Sequence, residues 1–399
     1  MLTAAMLSNT ASEYAEVQTI LAVPIVGTTR QFGGALSMSN DGSTLAIGCR
    51  LANDTVSAVG AVFVYTRSGA TWVQQQKVLA NTPVQGSNFG ASVHLSADGN
   101  TLLVGAPDET VLVSNEGAAY VFTRSGSTWT QQAQLQSPVG QSTSQFGVSV
   151  ALSNDGNTAL VGAYLESAGG FTRCGTAYVF VQSAGVWSVQ ATLSANDKAN
   201  YDSFGRYVAL SADGNTAIIG ADTADVAPYT NNGAAYVFTR SGSTWAQQAK
   251  LVASNPTSSD QFGQAVSISD NGNTVVVGAP RKTSDTGFAY IFTRSGSSWS
   301  EQAILSSPQS SVNTQFGISS SMSGDGLSVL IGSFKSVVAG PNAAYIFKYV
   351  GSSWQPYQKF AAVGGSAPWW GRAVQLAPSN PNIAVIAEPA GNEWVKIYY

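Results

Sequence analysis

An all-β fold is predicted for this chain: seven blades of four antiparallel strands, closed into a ring. Three observations lead there. Aromatic-glycine pairs recur at Phe32-Gly33, Phe89-Gly90, Phe146-Gly147, Phe204-Gly205, Phe262-Gly263, Phe316-Gly317 and Trp370-Gly371, in steps of 54 to 58 residues. A hairpin signal follows each of the first six, at Asp41-Gly42, Asp98-Gly99, Asp155-Gly156, Asp213-Gly214, Asn271-Gly272 and Asp325-Gly326. The N-terminal stretch Tyr14–Ala22 aligns with Trp72–Ala80 and so reads as a repeat fragment displaced to the other end of the chain. A near-constant period of this size marks a repeat architecture, in which copies of one unit bury each other's faces.

The second repeat shows each element in order. Phe89–Ser96 is the first strand and Thr101–Pro107 the second, joined at Asp98-Gly99, where glycine accepts the positive φ of a tight hairpin. A variable loop leads to the third strand, Gly117–Thr123, and Ser125-Gly126-Ser127 turns the chain into the fourth, Trp129–Leu135. The second strand is continuously apolar, as in Leu102-Leu103-Val104 and Val275-Val276-Val277, which fits a strand covered on both faces. Four-stranded units of this length match a β-propeller, with blades standing radially around a channel, whereas a β-solenoid would use shorter coils.

Ring closure follows from what the last repeat lacks. It runs from Trp370 through Ile383–Ile386 to Glu393–Tyr399, which corresponds to a third strand, and the Tyr14–Ala22 segment supplies the fourth. The expected organisation is one domain over 1–399, with blades at 31–88, 89–145, 146–203, 204–261, 262–315, 316–369 and 370–399, the last completed by 12–22. Pairing the two ends removes the exposed sheet edges of an open ring.

Composition narrows the function. Charged residues make up 10% of the 399, against roughly 25% in an average soluble protein, so the surface is built largely from uncharged polar side chains. With 18 Lys plus Arg against 22 Asp plus Glu, the net charge of -4 has the wrong sign for tracking phosphates, and no nucleic-acid partner is expected. No apolar run approaches the roughly 18 to 20 residues of a membrane span, and Met1–Ser12 lacks a charged n-region and a long apolar h-region. Membrane insertion and an ordinary secretory leader are therefore not expected. Cys49 and Cys174 fall in non-adjacent repeats, too far apart for the roughly 7 Å limit of a disulfide, and read as small buried residues. A Ser- and Gln-rich, Lys-poor composition points to an external surface.

The Phe-Gly openings, together with Gly105-Ala106-Pro107 and Gly278-Ala279-Pro280 closing second strands, resemble the FG-GAP repeat of integrin-α-type seven-bladed propellers. Elsewhere the second motif drifts, to Gly48-Cys49-Arg50, Gly162-Ala163-Tyr164, Gly220-Ala221-Asp222 and Gly332-Ser333-Phe334. The resemblance implies an adhesion or protein-interaction platform, although fold alone does not carry function. It also implies a calcium loop with several convergent oxygens between the first two strands. Here that hairpin is Ser96-Ala97-Asp98-Gly99-Asn100, with one carboxylate, so Asp98 reads as a turn former and no metal or other cofactor is expected.

Candidate chemistry is sparse. His94 is the only histidine, and its register matches Ser37, Ala151, Ala209, Ser267, Ser321 and Gln375, which marks a local substitution rather than a catalytic base. Carboxylate catalysis needs two acids at a defined separation, and the loop acids Asp108, Glu109, Glu116, Asp222 and Asp225 show no such spacing. The sharpest binding candidates are Trp72, Trp129, Trp187, Trp245, Trp299 and Trp354, one per blade, with Arg67, Arg124, Arg240 and Arg294 five residues before four of them. An aromatic face beside a guanidinium suits a sugar, and a ring of them would be multivalent. The competing reading is packing: period-2 alternation puts Trp129 on one face with Ala133 and Leu135, as it does Trp187 with Ala191 and Leu193.

The expected function is a non-enzymatic surface module for adhesion, protein interaction or self-assembly. Its contacts are expected from the loops after each second strand, such as Leu51–Val59, Asp108–Glu116, Leu165–Cys174 and Asp222–Asn232. A multivalent lectin with a glycan partner is the first alternative, and a loop-carboxylate glycosidase or lyase the second.

Overall fold

A computed structural model of the chain describes residues 14–21, 31–53, 57–309, 314–334, 342–361, 371–389 and 393–399. Trp370 of the seventh aromatic-glycine pair and residues 12–13 and 22 of the predicted closing segment lie outside the described residues. The described residues form seven four-stranded antiparallel sheets, six of them simple meanders of consecutive strands. In the second blade the strands are Ser92–Leu95, Thr101–Ala106, Ala118–Ser125 and Thr128–Leu135. The architecture is a seven-bladed β-propeller.

The closing sheet mixes the two ends of the chain. Its order is Glu16–Leu21, Trp394–Tyr398, Asn380–Glu388, Ala373–Ala377, with Ile20 opposite Val395 and Leu21 opposite Trp394. A second closure runs through the Asp-Gly hairpins. Asn40 N donates to Ala97 O, Ala97 N to Asn154 O, Asn154 N to Ala212 O, Ala212 N to Asp270 O, Asp270 N to Gly324 O and Gly324 N to Pro378 O, at 2.9 to 3.1 Å. Proline has no N–H, so the circle steps on one residue and Ser379 N returns to Asn40 O at 3.0 Å. Each hairpin is itself held by its carboxylate or amide. Asp98 accepts from Ser96 Oγ at 2.6 Å and Asn100 N at 2.9 Å, the turn-forming role expected of it.

The two glycines of the repeat motif meet across six of the seven blade seams, and at the seventh Gly33 meets Ala387 instead. A Cβ on Gly105 would stand 1.9 Å from the carbonyl oxygen of Gly147, and one on Gly48 would stand 2.2 Å from that of Gly90. Gly90 itself has φ +87°, and its N–H donates to Gly105 O at 3.0 Å. The phenylalanine preceding it leaves the ladder to bridge the neighbouring blade, Phe89 to Gly60, so the first strand starts later than the sequence suggests. Phe89 is buried, edge-on to Tyr120 and Phe122 at 5.5 and 5.9 Å, and the same trio recurs at Phe146, Phe204, Phe262 and Phe316. Each such ring contributes about 1.5 to 3 kcal/mol on burial, which explains why the period is written in aromatics.

The core is seven seams rather than one centre. Val62, Val64 and Val78 of the first blade pack on Phe89, Leu102, Tyr120 and Trp129 of the second, and equivalent clusters fill the other seams. Here the alternation expected in the fourth strand fails. Trp129 packs on the first blade, whereas Ala133 and Leu135 pack toward the third. A β-bulge is the reason: Phe122 pairs with Gln131 and Val121 with Ala133, so Gln132 is extruded and the side-chain sequence changes face. Both cysteines are buried thiols.

Candidate functional site

The six indoles lie in the seams, near the end of the ring that carries the Asp-Gly hairpins. Trp72, Trp129 and Trp354 are buried, and Trp187, Trp245 and Trp299 are half-buried. Five of them donate Nε1–H to the glutamine bulged out of the preceding blade: Trp129 to Gln75 at 2.9 Å, Trp187 to Gln132 at 3.4 Å, Trp245 to Gln190 at 3.0 Å, Trp299 to Gln248 at 2.8 Å and Trp354 to Gln302 at 2.9 Å. Trp72 donates to Tyr399 Oη at 2.7 Å. The arginines stack over aromatic rings of the same seams, Arg124 on Trp129, Arg240 on Trp245, Arg294 on Trp299 and Arg67 on Tyr399, at 5.4 to 5.6 Å. Their guanidiniums also tie blades together, as Arg124 does from Asn100 to Thr44. Both halves of the sugar-site pattern are therefore occupied by each other and by neighbouring blades.

The loops that differ among the repeats are at the opposite end, where second strands finish and first strands begin. There the chain opens a channel of about 470 Å³ along the ring axis. Its wall is written in the residue two places after each aromatic: Gly34, Ala91, Val148, Arg206, Gln264, Ile318 and Arg372. Deeper in, Leu36, Val93, Val150, Val208, Val266 and Val374 make an apolar collar interrupted by Ser320. Arg50 and Tyr164 enter from the ends of second strands, at the positions where the Gly-Ala-Pro motif drifts.

Three arginines thus face one mouth, and each has a distinct setting. Arg206 donates to Asp222 at 3.0 Å and stacks over Tyr164 and Tyr207 at 5.2 and 5.8 Å. Burial opposes its charge, but the Tyr207 and Asp222 side chains more than offset this and raise its pKa. Asp222 is fully buried, and burial pushes its carboxyl up despite Arg206. Arg50, exposed at the rim, donates to Gln31 Oε1 and is held below the usual guanidinium range by partial desolvation and by repulsion from Arg372, against the pull of Asp108. Arg372 lies over Phe334 at 5.7 Å. These residues were absent from the sequence-derived candidates. The signal that finds them is the aligned position after the aromatic-glycine pair, where small, apolar or amide residues give way to arginine in the fourth and seventh repeats.

The loop acids hold their own loops. Glu166 accepts from Tyr178 Oη at 2.6 Å and Ser137 Oγ at 3.0 Å, Glu116 from Leu112 N at 2.7 Å, and Asp225 from Asn231 N at 2.7 Å. Asp108 accepts from Gln145 Nε2 at 3.0 Å and from Asn88. Burial pushes Glu109 up to about 7, against the opposing influence of the nearby Tyr120 and Ser87 hydroxyls. Among the described residues no three His, Cys, Asp or Glu side chains gather closely enough for a metal ion. His94 sits in the first strand opposite Leu103, and burial pushes its imidazole down to about 4.

Comparison with known proteins places this geometry. The family model described as the FG-GAP repeat matches residues 72–122, 129–180, 187–238 and 245–292, together just over half of the chain. Each match begins at a seam tryptophan and ends at the third-strand phenylalanine of the following blade, so the family unit is a seam rather than a blade. A chain in a solved structure described as a crystal structure of the mitotic checkpoint complex superposes with a TM-score of 0.60 at 14% identity, covering 98% of this chain and 93% of that one, a likeness of fold alone. No curated protein matches the sequence.

Proposed function

The chain belongs to the FG-GAP repeat family, and from that premise we propose a non-enzymatic module, exposed at a cell or particle surface, that engages a protein partner or further copies of itself through the channel-mouth face. β-propeller repeats commonly mediate protein interactions, FG-GAP repeats are typical of extracellular proteins, and no helix among the described residues is long and apolar enough to cross a membrane. One observation carries the reading: the loops in which the repeats differ converge at one end of a ring whose seams are otherwise repeated nearly without change. Rigid blades presenting variable loops are a binding arrangement, because sequence can change there at little cost to the fold. The loops also brace one another. Gln141 and Ser167 exchange hydrogen bonds between blades, and Tyr201 N donates to Thr172 O at 2.9 Å.

Light scattering after size exclusion, run beside a glycan array, tests this. The expected result is self-association, or binding to an identified surface protein, that is lost when residues 165–174 are replaced by a Gly-Ser linker while the thermal midpoint holds. Specific glycan binding that survives the replacement and is lost in Trp187→Ala would move the function to the opposite end of the ring and make the protein a lectin.

A further inference from the structure

We propose that the outermost strand of the third blade, Val186–Leu193, pairs antiparallel with the same strand of a second copy, joining two rings edge to edge about a two-fold axis. This goes beyond the channel-mouth reading above and places a second contact on the outer wall of the ring.

The ground is a set of departures confined to one hairpin. Aligned on the seam tryptophans, the residue before the indole is Thr71, Thr128, Thr244, Ser298 or Ser353 in the other five repeats that carry one, and Val186 in the third. Two places after the indole the others have Gln74, Gln131, Gln247, Glu301 or Pro356, and the third has Val189. The arginine that stacks over the indole in the second, fourth and fifth blades is replaced by Gln182, and the threonine before it by Val181. Val186 and Val189 are 68 and 41% exposed, so these changes do little for the core of a single ring, which gains from apolar area removed from water.

An edge gives such changes a use. The strand is the last of its sheet, so among the described residues one row of its backbone groups has no strand partner. An exposed edge templates pairing with another chain unless charge, proline or a bulge blunts it. Most outermost strands of this ring carry such guards: Lys77, Lys250, Glu301, Pro356 with Lys359, and Glu16 in the closing blade. The second blade's strand has neither charge nor proline, but it exposes no large apolar side chain, and Arg124 flanks it across the hairpin. From Thr176 to Leu193 the third blade has no charged residue at all. The bulge at Gln190 leaves Val186–Val189 as a regular run ahead of it.

A second copy is the occupant because the strand is its own complement. An uncharged edge meets an identical one without repulsion and without stranding a charge, and a pair of identical strands run antiparallel is isologous and closes at two. The two valines lie on opposite faces, since Val186 pairs with Ser183 and Val189 with Phe180 across the hairpin. In the joined sheet both copies' Val186 would share one face with Val181, and both Val189 would share the other with Trp187. Each face thereby gains apolar neighbours across the new ladder.

Sedimentation velocity on the full chain, from about 1 to 300 μM, covers the range in which so small a contact associates. A monomer at the low end giving way to a dimer is expected, with amide exchange over residues 186–189 slowed as the dimer fills. Val189→Lys puts a guard on the edge and should raise the dissociation constant about tenfold or more. Val73→Lys, at a valine 55% exposed on the guarded strand of the first blade, should leave it unchanged. If Val189→Lys fails to fold, Val186→Lys makes the same test from the other face. A monomer at every concentration overturns the proposal, as does a dimer indifferent to both Val186→Lys and Val189→Lys, or one whose exchange at 186–189 is unchanged. Association that survives Val189→Lys and is lost on replacing residues 165–174 ends the edge contact alone and leaves the channel-mouth reading standing. Association lost in Val189→Lys and kept in the loop replacement supports the edge contact, and the channel-mouth reading is then judged by partner binding in the Val189→Lys protein.

Discussion

Trp129 donates its indole N–H across a blade seam to Oε1 of Gln75 at 2.9 Å, and Gln75 is the residue that the fourth strand of the first blade bulges out of its ladder. Bulge and bond depend on each other. Without the extra residue Gln75 would turn away from the seam, and without an acceptor the buried indole N–H would be stranded. Gln76, next in the strand, accepts from Trp129 N at 2.7 Å and returns a bond to Trp129 O at 3.2 Å. The sixth blade supports the coupling by changing both partners: its bulged residue is Tyr357, and the aromatic that meets it is Tyr14, ring centroids 6.5 Å apart and edge-on.

Gln75→Leu keeps the side chain's bulk but removes the acceptor, so it should lower stability by about 1 to 3 kcal/mol, the cost of an unsatisfied buried donor. Trp129→Ala should cost about 3 to 5 kcal/mol. The double variant should cost less than the sum, because the second change no longer breaks the bond. Denaturant unfolding of the four proteins measures the coupling, and strict additivity would mean that the bond contributes nothing.

Glycines that look alike in sequence should respond differently. Gly105→Ala forces a methyl to within 1.9 Å of Gly147 O, a backbone atom that cannot move without opening the seam. Overpacking of this kind typically costs about 1 to 3 kcal/mol, and more where backbone must shift. Gly126, in an exposed turn at φ +61°, has nothing within 4 Å of the added carbon, so Gly126→Ala carries only the left-handed strain of about 1 to 2 kcal/mol. Thermal unfolding should rank Gly105→Ala clearly below Gly126→Ala, and equal midpoints would refute the close-approach account.

The fold was readable because repetition made independent signals agree: Phe89-Gly90 and Gly105 recur for one steric reason, and Tyr14 aligns with Trp72. The faces of the fourth strand were not readable. A bulge at Gln132 needs no special residue, so the Gln131-Gln132 pair looks like ordinary alternation until the pairing partner is known. The channel mouth was hidden for a related reason. Arg206 and Arg372 stand more than 160 positions apart in sequence and line one channel only when the ring closes, although each is visible as a departure from its aligned position.

Removal of residues 1–22 should turn a cooperative monomer into an aggregating species. The Trp394–Tyr398 strand would become an unpaired edge, and Lys396, nearly buried, would lose Glu16 at 2.7 Å. Tyr14 would leave the seam that it fills with Phe360, 5.6 Å between centroids. Open edges template pairing between chains. Sedimentation velocity should show concentration-dependent larger species and a lowered thermal midpoint, and an unchanged profile would sink the closure argument.

Two buried groups should give opposite pH signatures. His94 has its folded pKa lowered from 6.5 to about 4 by burial, so the unfolded chain binds more protons between those values and stability falls as pH drops through that window. Glu109 has its folded pKa raised from 4.5 to about 7 by burial, so the folded chain binds more protons and stability falls as pH rises through 4.5 to 7. The two slopes oppose one another where the windows overlap, which flattens the profile of the unaltered protein. Variants separate them. The midpoint of Glu109→Gln minus that of the unaltered protein should climb with pH up to about 7 and then level, because the glutamine keeps the size and polarity of the side chain without the charge. For His94→Gln the difference should climb as pH falls toward about 4. Turn carboxylates such as Asp98, lowered because their hydrogen bonds outweigh burial, act in all three proteins and cancel in the differences. Thermal midpoints across pH 4 to 8 that run parallel for all three would show that neither group titrates differently on folding.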